Sequence, residues 1–302
     1  MHDQADKLRK MAHQVKAQIE LEIVNNNNKR SHVIVIGSGK GGVGKSTLAL
    51  NLALSLCQSD KRVLLMDADL GLANLDIMLG LMPQQNIYHM MHNKIEMKNI
   101  IMQGPHGLDI IPGGSGINTM ANLNDAELRH ILLELGKLDY EYDFMVIDTG
   151  AGISKNVISF LLAANDIIVI TTPEPTALTD AYGLIKSINK YKKTNSIYLL
   201  INRVATEGEA LEIAEKMRLV CSKYLDLNVK YLGYVVNEPL MLEGIRRQIP
   251  FIDLFPRSVA ARNISHIARQ LVSIYANQTV VPYGYDEKGI KHFFKRMISR
   301  AI

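Results

Sequence analysis

The chain has 302 residues, with 34 Lys and Arg residues against 30 Asp and Glu residues, and a formal net charge of +4. Hydrophobic residues make up 47% and charged residues 21%, a balance that is ordinary for a folded core and excludes disorder throughout the chain. No apolar run approaches the length of about 18 residues that spans a membrane, which excludes a transmembrane helix.

Two further features concern the cellular compartment. The first ten residues include no apolar stretch of the kind that a secretory signal has. The two cysteines, Cys57 and Cys221, lie far apart and outside any CxxC pair. We therefore expect a reduced, cytosolic chain without a cysteine-based metal site.

The positive charge is concentrated at the two ends of the chain. Residues 1–30 hold six basic and four acidic groups, and residues 287–302 hold five basic groups and one acidic group. The middle, residues 31–286, therefore carries a net charge of −2. Because nucleic-acid binding usually needs a basic face, this acidic body disfavours a nucleic-acid partner.

The first predicted element is an amphipathic helix over residues 3–23, with Asp3 as its N-cap. Four apolar side chains recur there at spacings of three and four, and a polar, turn-prone run over residues 25–30 is typical of a linker. The apolar positions are Leu8, Met11, Val15 and Ile19.

After the linker, short β-rich runs alternate with helical stretches, which predicts a doubly wound, mostly parallel α/β sheet. Ligands bind such sheets at the carboxyl ends of the strands. We predict one body over residues 31–280. The predicted strands are His32–Ile36, Arg62–Asp67, Leu108–Ile111, Asp143–Asp148, Asp166–Thr171, Ser196–Asn202 and Tyr231–Val235, and the predicted helices lie near 45–58, 125–137, 176–192 and 208–224.

Residues 281–302 are predicted to form a tether followed by a short amphipathic helix. One face of this helix is apolar and aromatic, and the remainder is mostly basic. That pattern suits an anionic membrane surface, and it equally suits a terminal helix docked on the body, so the residues alone leave both open. The apolar face consists of Ile290, Phe293, Phe294, Met297, Ile298 and Ala301.

A glycine-rich motif of the form GxxxxGK[ST] follows the first strand and precedes a helix, which is the context of a phosphate-binding loop. Its backbone N–H groups can converge on a phosphate, Lys45 can reach the terminal phosphates, and the Ser46 hydroxyl can bind Mg²⁺. An overlapping dinucleotide fingerprint is the weaker alternative, because such a site has no use for Lys45 and Ser46. The residues predicted to bind nucleotide are Gly39, Lys40, Gly41, Gly42, Val43, Gly44, Lys45, Ser46 and Thr47.

Acidic residues end two of the predicted strands. Asp67 and Asp69 follow the second strand, and Asp148 ends the apolar strand that begins at Asp143. Phosphoryl transfer needs carboxylates at these positions to hold Mg²⁺ and to orient the attacking water. The sequence therefore predicts a nucleoside triphosphatase.

The run from Lys40 to Thr47 resembles the deviant Walker A motif of the MinD/ParA family of P-loop ATPases, and the similarity covers about residues 31–276. The resemblance implies ATP and Mg²⁺ as ligands and an ATP-dependent homodimer in which Lys40 acts in trans on the partner's phosphates. It assigns Lys40, Lys45 and Asp69 to catalysis, Asp69 by positioning the water.

The same resemblance assigns Ser46, Asp67 and Asp148 to the magnesium site. It implies that Asn202 recognises adenine and that Asn237 and Glu238 pack around the base. It also implies that the C-terminal helix targets a membrane. MinD usually has Pro at the position of Gly150. This glycine therefore departs from MinD proper, but it leaves the resemblance to the ATPase family intact.

The N-terminal segment from Asp3 to Arg9 contains the DQAxxLR signature and resembles the FlhG (YlxH) branch of MinD-like ATPases, which regulates flagellar number and placement. This resemblance implies that Asp3, Gln4, Leu8 and Arg9 contact and activate an FlhF-type GTPase. It also implies a cytoplasmic protein that is peripheral on the inner face of the membrane when ATP-bound, with flagellar C-ring proteins as further partners. A cell-division MinD and a ParA-type DNA segregation ATPase are the rival interpretations.

Overall fold

The computed structural model of the chain describes residues 31–69, 74–86, 89, 95–113, 133–191, 196–278 and 289–301. These residues form an eight-stranded sheet in the order β3-β4-β2-β5-β1-β6-β7-β8. Every neighbouring pair is parallel except β3 and β4, which are antiparallel. The strands are β1 His32–Ser38, β2 Val63–Ala68, β3 Met102–Gln103, β4 Asp109–Ile111, β5 Phe144–Ala151, β6 Asp166–Thr171, β7 Ser196–Val204 and β8 Lys230–Val236.

Helices cover both faces of the sheet, so the central strands are apolar on both sides. The described helices are α1 Lys45–Cys57, α2 Leu75–Leu79, α3 Lys155–Ala163, α4 Pro175–Asn189, α5 Glu207–Leu225, α6 Met241–Arg247, α7 Phe251–Leu254, α8 Val259–Gln278 and α9 Ile290–Ala301, with 3₁₀ turns at Met97–Asn99 and Pro105–Gly107. Alternate residues of β1 face the two layers: Val33 and Val35 pack in one core with α3, α4, α5 and α9, and Ile34 and Ile36 pack in a second core with α1 and α8.

All seven predicted strands are confirmed, and four predicted helices correspond to α1, α4, α5 and α9. The helix predicted over residues 3–23 lies outside the described residues, as does most of the one predicted over 125–137, of which 133–138 is helical. The short elements α2, α6, α7 and β3 and the longer helices α3 and α8 were not predicted. In α3 most side chains are buried, so no polar face marks its period.

The missed helix α8 carried a usable signal. Buried side chains recur along it at spacings of three and four, which is the helical period. The buried residues are Ala260, Ala261, Ile264, Ile267, Ala268, Leu271 and Tyr275.

The C-terminal helix α9 lies against the body with its apolar face inward. Ile290, Phe293 and Phe294 are fully buried, and the Phe293 ring lies 5.9 Å from that of Phe160 on α3. The Asp139 carboxylate accepts hydrogen bonds from the first two backbone N–H groups of the helix, those of Ile290 and Lys291. An anion at this end also complements the helix dipole. The docked helix is therefore held both by apolar packing and by the Asp139 cap at its first turn.

Two points bear on the membrane interpretation of this tail. Met297 is also nearly fully buried on the body, and the side chain of Ile298 lies outside the described structure. Within the described part of the chain, no helix combines the length and the apolar character needed to cross a bilayer.

Candidate functional site

The glycine-rich loop joins β1 to α1 at the carboxyl edge of the sheet, as predicted. Gly42 and Gly44 have φ angles of 79° and 89°, in the left-handed region that favours glycine. A Cβ on Gly39 would lie 2.1 Å from the backbone oxygen of Asp180 on α4. The loop is thus packed closely on α4, and its backbone can adopt this path only with glycine.

Inside the loop, Lys45 and Asp148 form a buried ion pair, with Lys45 Nζ 2.7 Å from Asp148 Oδ1. Both side chains are more than nine-tenths buried. Burial raises the pKa of Asp148 above its ordinary value, against the opposing effect of the Lys45 charge and of hydrogen bonds from Lys45 and Ser46. The second carboxylate oxygen, Oδ2, is buried without a hydrogen-bond partner. This oxygen is available to a ligand.

The other predicted carboxylates lie beside this pair. Strand pairing places Asp67 of β2 level with Asp148 of β5. Asp67 is almost fully buried and accepts hydrogen bonds from the backbone N–H groups of Asp69, Asn74 and Leu75, at 3.0, 2.9 and 3.2 Å. Burial raises the pKa of Asp67 to about 6, despite those hydrogen bonds. Asp67 therefore fixes the start of α2 as well as one side of the site.

Asp69 lies above the same edge. A Cβ on Gly150 would lie 3.5 Å from Asp69 Oδ1, so the segment after β5 passes close to this carboxylate. The Asp69 charge also acts on Asp148 and raises its pKa. The structure thus brings together Asp67, Asp69 and Asp148, as the sequence predicted.

Lys40 occupies a different position from Lys45. Its Nζ lies 2.7 Å from Glu174 Oε2 and 2.8 Å from Thr176 Oγ1, and its side chain is 37% exposed. The hydrogen bond and charge of Lys40 lower the pKa of the Glu174 carboxyl. Lys40 therefore extends along the surface to the start of α4. The sequence analysis missed both partners, which lie more than 130 residues away along the chain.

On the base side of the predicted site, Asn202 ends the apolar part of β7. Its Nδ2 donates to the Val43 carbonyl of the loop at 2.8 Å, and its Oδ1 is buried without a partner. The Asn237 backbone N–H donates to the Val204 carbonyl at 2.8 Å; Asn237 is exposed, and Glu238 is half-buried. The structure thus ties Asn202 directly to the loop, while Asn237 and Glu238 lie just beyond β8.

These groups fit Mg²⁺ and a nucleoside triphosphate. Carboxylate and hydroxyl oxygens are the ligands that Mg²⁺ prefers, and Ser46, Asp67 and Asp148 supply them. The start of α1 and the loop backbone supply N–H groups for phosphate. The unpaired Asn202 Oδ1 can accept a hydrogen bond from an exocyclic amine. When bound, Mg²⁺ would neutralise charge on the phosphates.

Comparison with known proteins agrees with this geometry. The AAA domain family matches residues 31–201. The chain is 36% identical to the flagellum site-determining protein YlxH of Helicobacter pylori over 275 residues, 90% of this chain and 91% of that protein. It is 33% identical to the antiactivator FleN of Pseudomonas aeruginosa over 241 residues, 80% of this chain and 86% of that protein.

The chain belongs to the FlhG (YlxH) branch of the MinD/ParA-type P-loop ATPases. It is an ATPase that works with Mg²⁺. Its fold is that of MinD from Aquifex aeolicus in a MinC:MinD complex, with a TM-score of 0.66, 25% identity and coverage of 84% of this chain and 99% of that one. The family assignment confirms the prediction made from the loop and the N-terminal signature.

Proposed function

We propose that the chain is an ATP-dependent, dimerising switch that associates with the membrane, controls flagellar number or placement, and activates an FlhF-like GTPase. The position of Lys40 is the observation that carries this proposal. Lys45 already occupies the inside of the loop, whereas Lys40 reaches outward to Glu174 and Thr176. A lysine held at the surface of a phosphate loop suits a group that is delivered to a second copy, in the manner of an arginine finger.

Within one copy, each of the remaining groups has a role that follows from its position. Lys45 would leave Asp148 for the terminal phosphates, and Asp148, Ser46 and Asp67 would hold Mg²⁺. Asp69 would orient the attacking water. Asn202, with Asn237 and Glu238 beyond it, would bind adenine. The Lys45–Asp148 ion pair would thus separate only when the phosphates take the place of Asp148 beside Lys45 and Mg²⁺ takes the place of Lys45 beside Asp148.

Membrane association in this proposal depends on α9. Its apolar face is buried on the body, so Phe293 and Phe294 can meet lipid only after the helix leaves. Each Lys or Arg within residues 287–302 would then strengthen the binding to an anionic membrane surface by about 1 kcal/mol. The cytoplasmic protein would become peripheral on the inner face of the membrane in its ATP-bound state.

We expect Phe293→Glu to lower ATP-dependent sedimentation with anionic liposomes by about tenfold or more, because a charge replaces a large apolar side chain. Leu219→Glu, at an exposed site on α5, is the matched control and should sediment like the wild type. Equal sedimentation of the wild type and the Phe293→Glu variant would exclude α9 as the membrane contact.

GTPase activation rests on the N-terminal sequence, whose residues lie outside the described structure. The run of Asp3, Gln4, Leu8 and Arg9 carries the family signature. Flagellar C-ring proteins are further proposed partners. Neither a cell-division MinD nor a ParA-type ATPase is expected to need this segment, so it separates the proposed function from both rivals.

We expect the full chain to stimulate GTP hydrolysis by an FlhF-type GTPase, and Gln4→Ala to lose at least about tenfold of that stimulation, since the side chain of a residue acting at a GTP site contributes on this scale. Gln14→Ala, in the same segment, is the control and should keep full stimulation. Stimulation that survives Gln4→Ala unchanged contradicts the assignment.

A further inference from the structure

The C-terminal helix α9 covers an apolar part of the body, which we name the α9 site. This site is formed by α3, β1 and the helical residues 133–138. Phe160 of α3 and Leu138 are almost fully buried and belong to the same core as Phe293 and Phe294. In the proposed function α9 leaves this site for the membrane. The apolar side chains beneath it then meet water, which is unfavourable unless another apolar group covers them.

The N-terminal segment enters the body beside the first turn of α9. The Ser31 N–H and hydroxyl both donate to the Asp139 carbonyl, at 3.0 and 3.1 Å. The carboxylate of the same residue, Asp139, accepts the N–H groups of Ile290 and Lys291 at the start of α9. Ser31 is fully buried. Residues 1–30 are therefore attached to the body at the end of the α9 site where α9 begins.

The helix predicted over residues 3–23 resembles α9 in the length of its apolar face. Its apolar positions run from Leu8 to Ile19 and those of α9 from Ile290 to Ala301, which are equal spans of about 16 Å in a helix. The linker that joins the predicted helix to Ser31 is short, and when extended it reaches at most about 24 Å. An apolar stripe of the right length is thus attached within reach of the α9 site.

This attachment favours the chain's own segment over a separate partner. A segment held by a short flexible linker has an effective concentration on the order of millimolar at a site within its reach. A separate amphipathic helix would have to bind far more tightly to compete at cellular concentrations. The occupant that the chain geometry supports is therefore the N-terminal helix of the same copy.

We propose that the N-terminal helix, residues 3–23, occupies the α9 site when α9 has left it. This inference rests on the release of α9 in the proposed function and deepens it, because it couples the two ends of the chain. The N-terminal helix runs opposite to α9, since its C-terminal end is the one joined to Ser31. Docking covers Leu8, which belongs to the proposed GTPase contact. The chain therefore stimulates its GTPase while α9 is docked and loses that stimulation when α9 is on the membrane.

The test is hydrogen exchange of the full chain, measured by mass spectrometry without lipid or nucleotide. Phe293→Glu should displace α9, because a carboxylate is costly to bury without a partner. We expect exchange over residues 8–19 to slow at least about tenfold relative to the wild type, since a docked helix is protected. Wild-type exchange over residues 8–19, with α9 exchanging freely, would overturn the proposal. If α9 remains protected, the chain with both Phe293→Glu and Phe294→Glu takes the place of the single variant.

A substitution within the N-terminal stripe identifies the docking face. Added to Phe293→Glu, Val15→Glu should restore fast exchange over residues 8–19. Ala17→Glu is the matched control, because it places the same acid on the opposite face of the predicted helix and should keep the protection. Protection that survives Val15→Glu, or that both substitutions remove equally, contradicts docking through the stripe. Protection that disappears on tenfold dilution would assign the site to a second copy and overturn the proposal.

Unchanged exchange in β1 and β5 shows that the variants are folded. The GTPase provides a second readout: Phe293→Glu should stimulate it at least about tenfold less than the wild type, and adding Val15→Glu should not lower the protection of α3. Failure of the proposed function gives a different result, because the exchange test displaces α9 by substitution. If the N-terminal helix docks in Phe293→Glu while wild-type α9 stays protected on liposomes with ATP, the inference holds and the membrane switch does not.

Discussion

Replacing Lys45 by glutamine is expected to lower ATP hydrolysis by about 100-fold or more, because the chain loses its buried cation for the transferred phosphate. The same change destabilises the nucleotide-free chain, since it leaves the Asp148 carboxylate buried without its partner. Breaking a buried ion pair in this way typically costs about 3–5 kcal/mol. Phosphate release and chemical denaturation measure the two effects.

The loss of stability in Lys45→Gln should depend on pH. Burial already raises the pKa of Asp148, and removing Lys45 raises it further. The folded variant then binds a proton more readily than the unfolded chain does, so lowering the pH stabilises the variant relative to the wild type. A loss of stability that is the same at every pH would contradict the unpaired carboxylate as its cause.

The double variant Lys45→Gln with Asp148→Asn is the matched control. It replaces the ion pair by two neutral amides of similar size, so most of the lost stability should return. Hydrolysis should not return, because neither the cation nor the metal-binding carboxylate is restored. Recovery of both quantities together would show that Lys45 acts only through stability.

The sequence predicted the central strands and the phosphate loop because their signals are local. β1 is a short apolar run, and the loop that follows needs glycine where φ is positive, as at Gly42 and Gly44. Asp67 and Asp148 were predicted to meet because parallel strands end at one edge. Each of these inferences needs only a few neighbouring residues and a general rule of packing.

Contacts between distant segments could not be predicted in this way. The carboxylate that Lys40 reaches, Glu174, lies 134 residues away along the chain. Gln248 meets Ile77 across 171 residues, and this contact holds the end of α6 against α2. Neither partner carries a motif of its own, and their positions depend on the packing of α4 and α6 at the sheet edge.

The C-terminal helix shows a different limit. Its amphipathic period was predicted, but the same apolar face suits lipid and a protein core equally well. The complementary groups decide the docked arrangement, because Phe160 packs against Phe293 and Asp139 caps the first turn. These groups lie on other elements, so the sequence of the helix alone could not predict these contacts.

Replacing Lys40 by alanine is expected to abolish the ATP-dependent dimer and to lower hydrolysis by about 1,000-fold, the scale of a finger residue supplied in trans. ADP affinity should change little, because Lys40 reaches Glu174 rather than the inside of its own loop. Glu174→Gln is the matched control: it weakens the same ion pair, keeps Lys40, and should retain hydrolysis. Light scattering and phosphate release measure both variants.

Complementation gives the sharpest test of action in trans. A chain with Lys40→Ala keeps an intact site of its own, and a chain with Asp69→Ala keeps its Lys40 but cannot orient the water. Each is expected to be inactive alone. A mixture should recover hydrolysis, because the Asp69→Ala copy supplies Lys40 to the site of the other copy. If the mixture stays as inactive as its components while mixed dimers form, Lys40 works within its own chain.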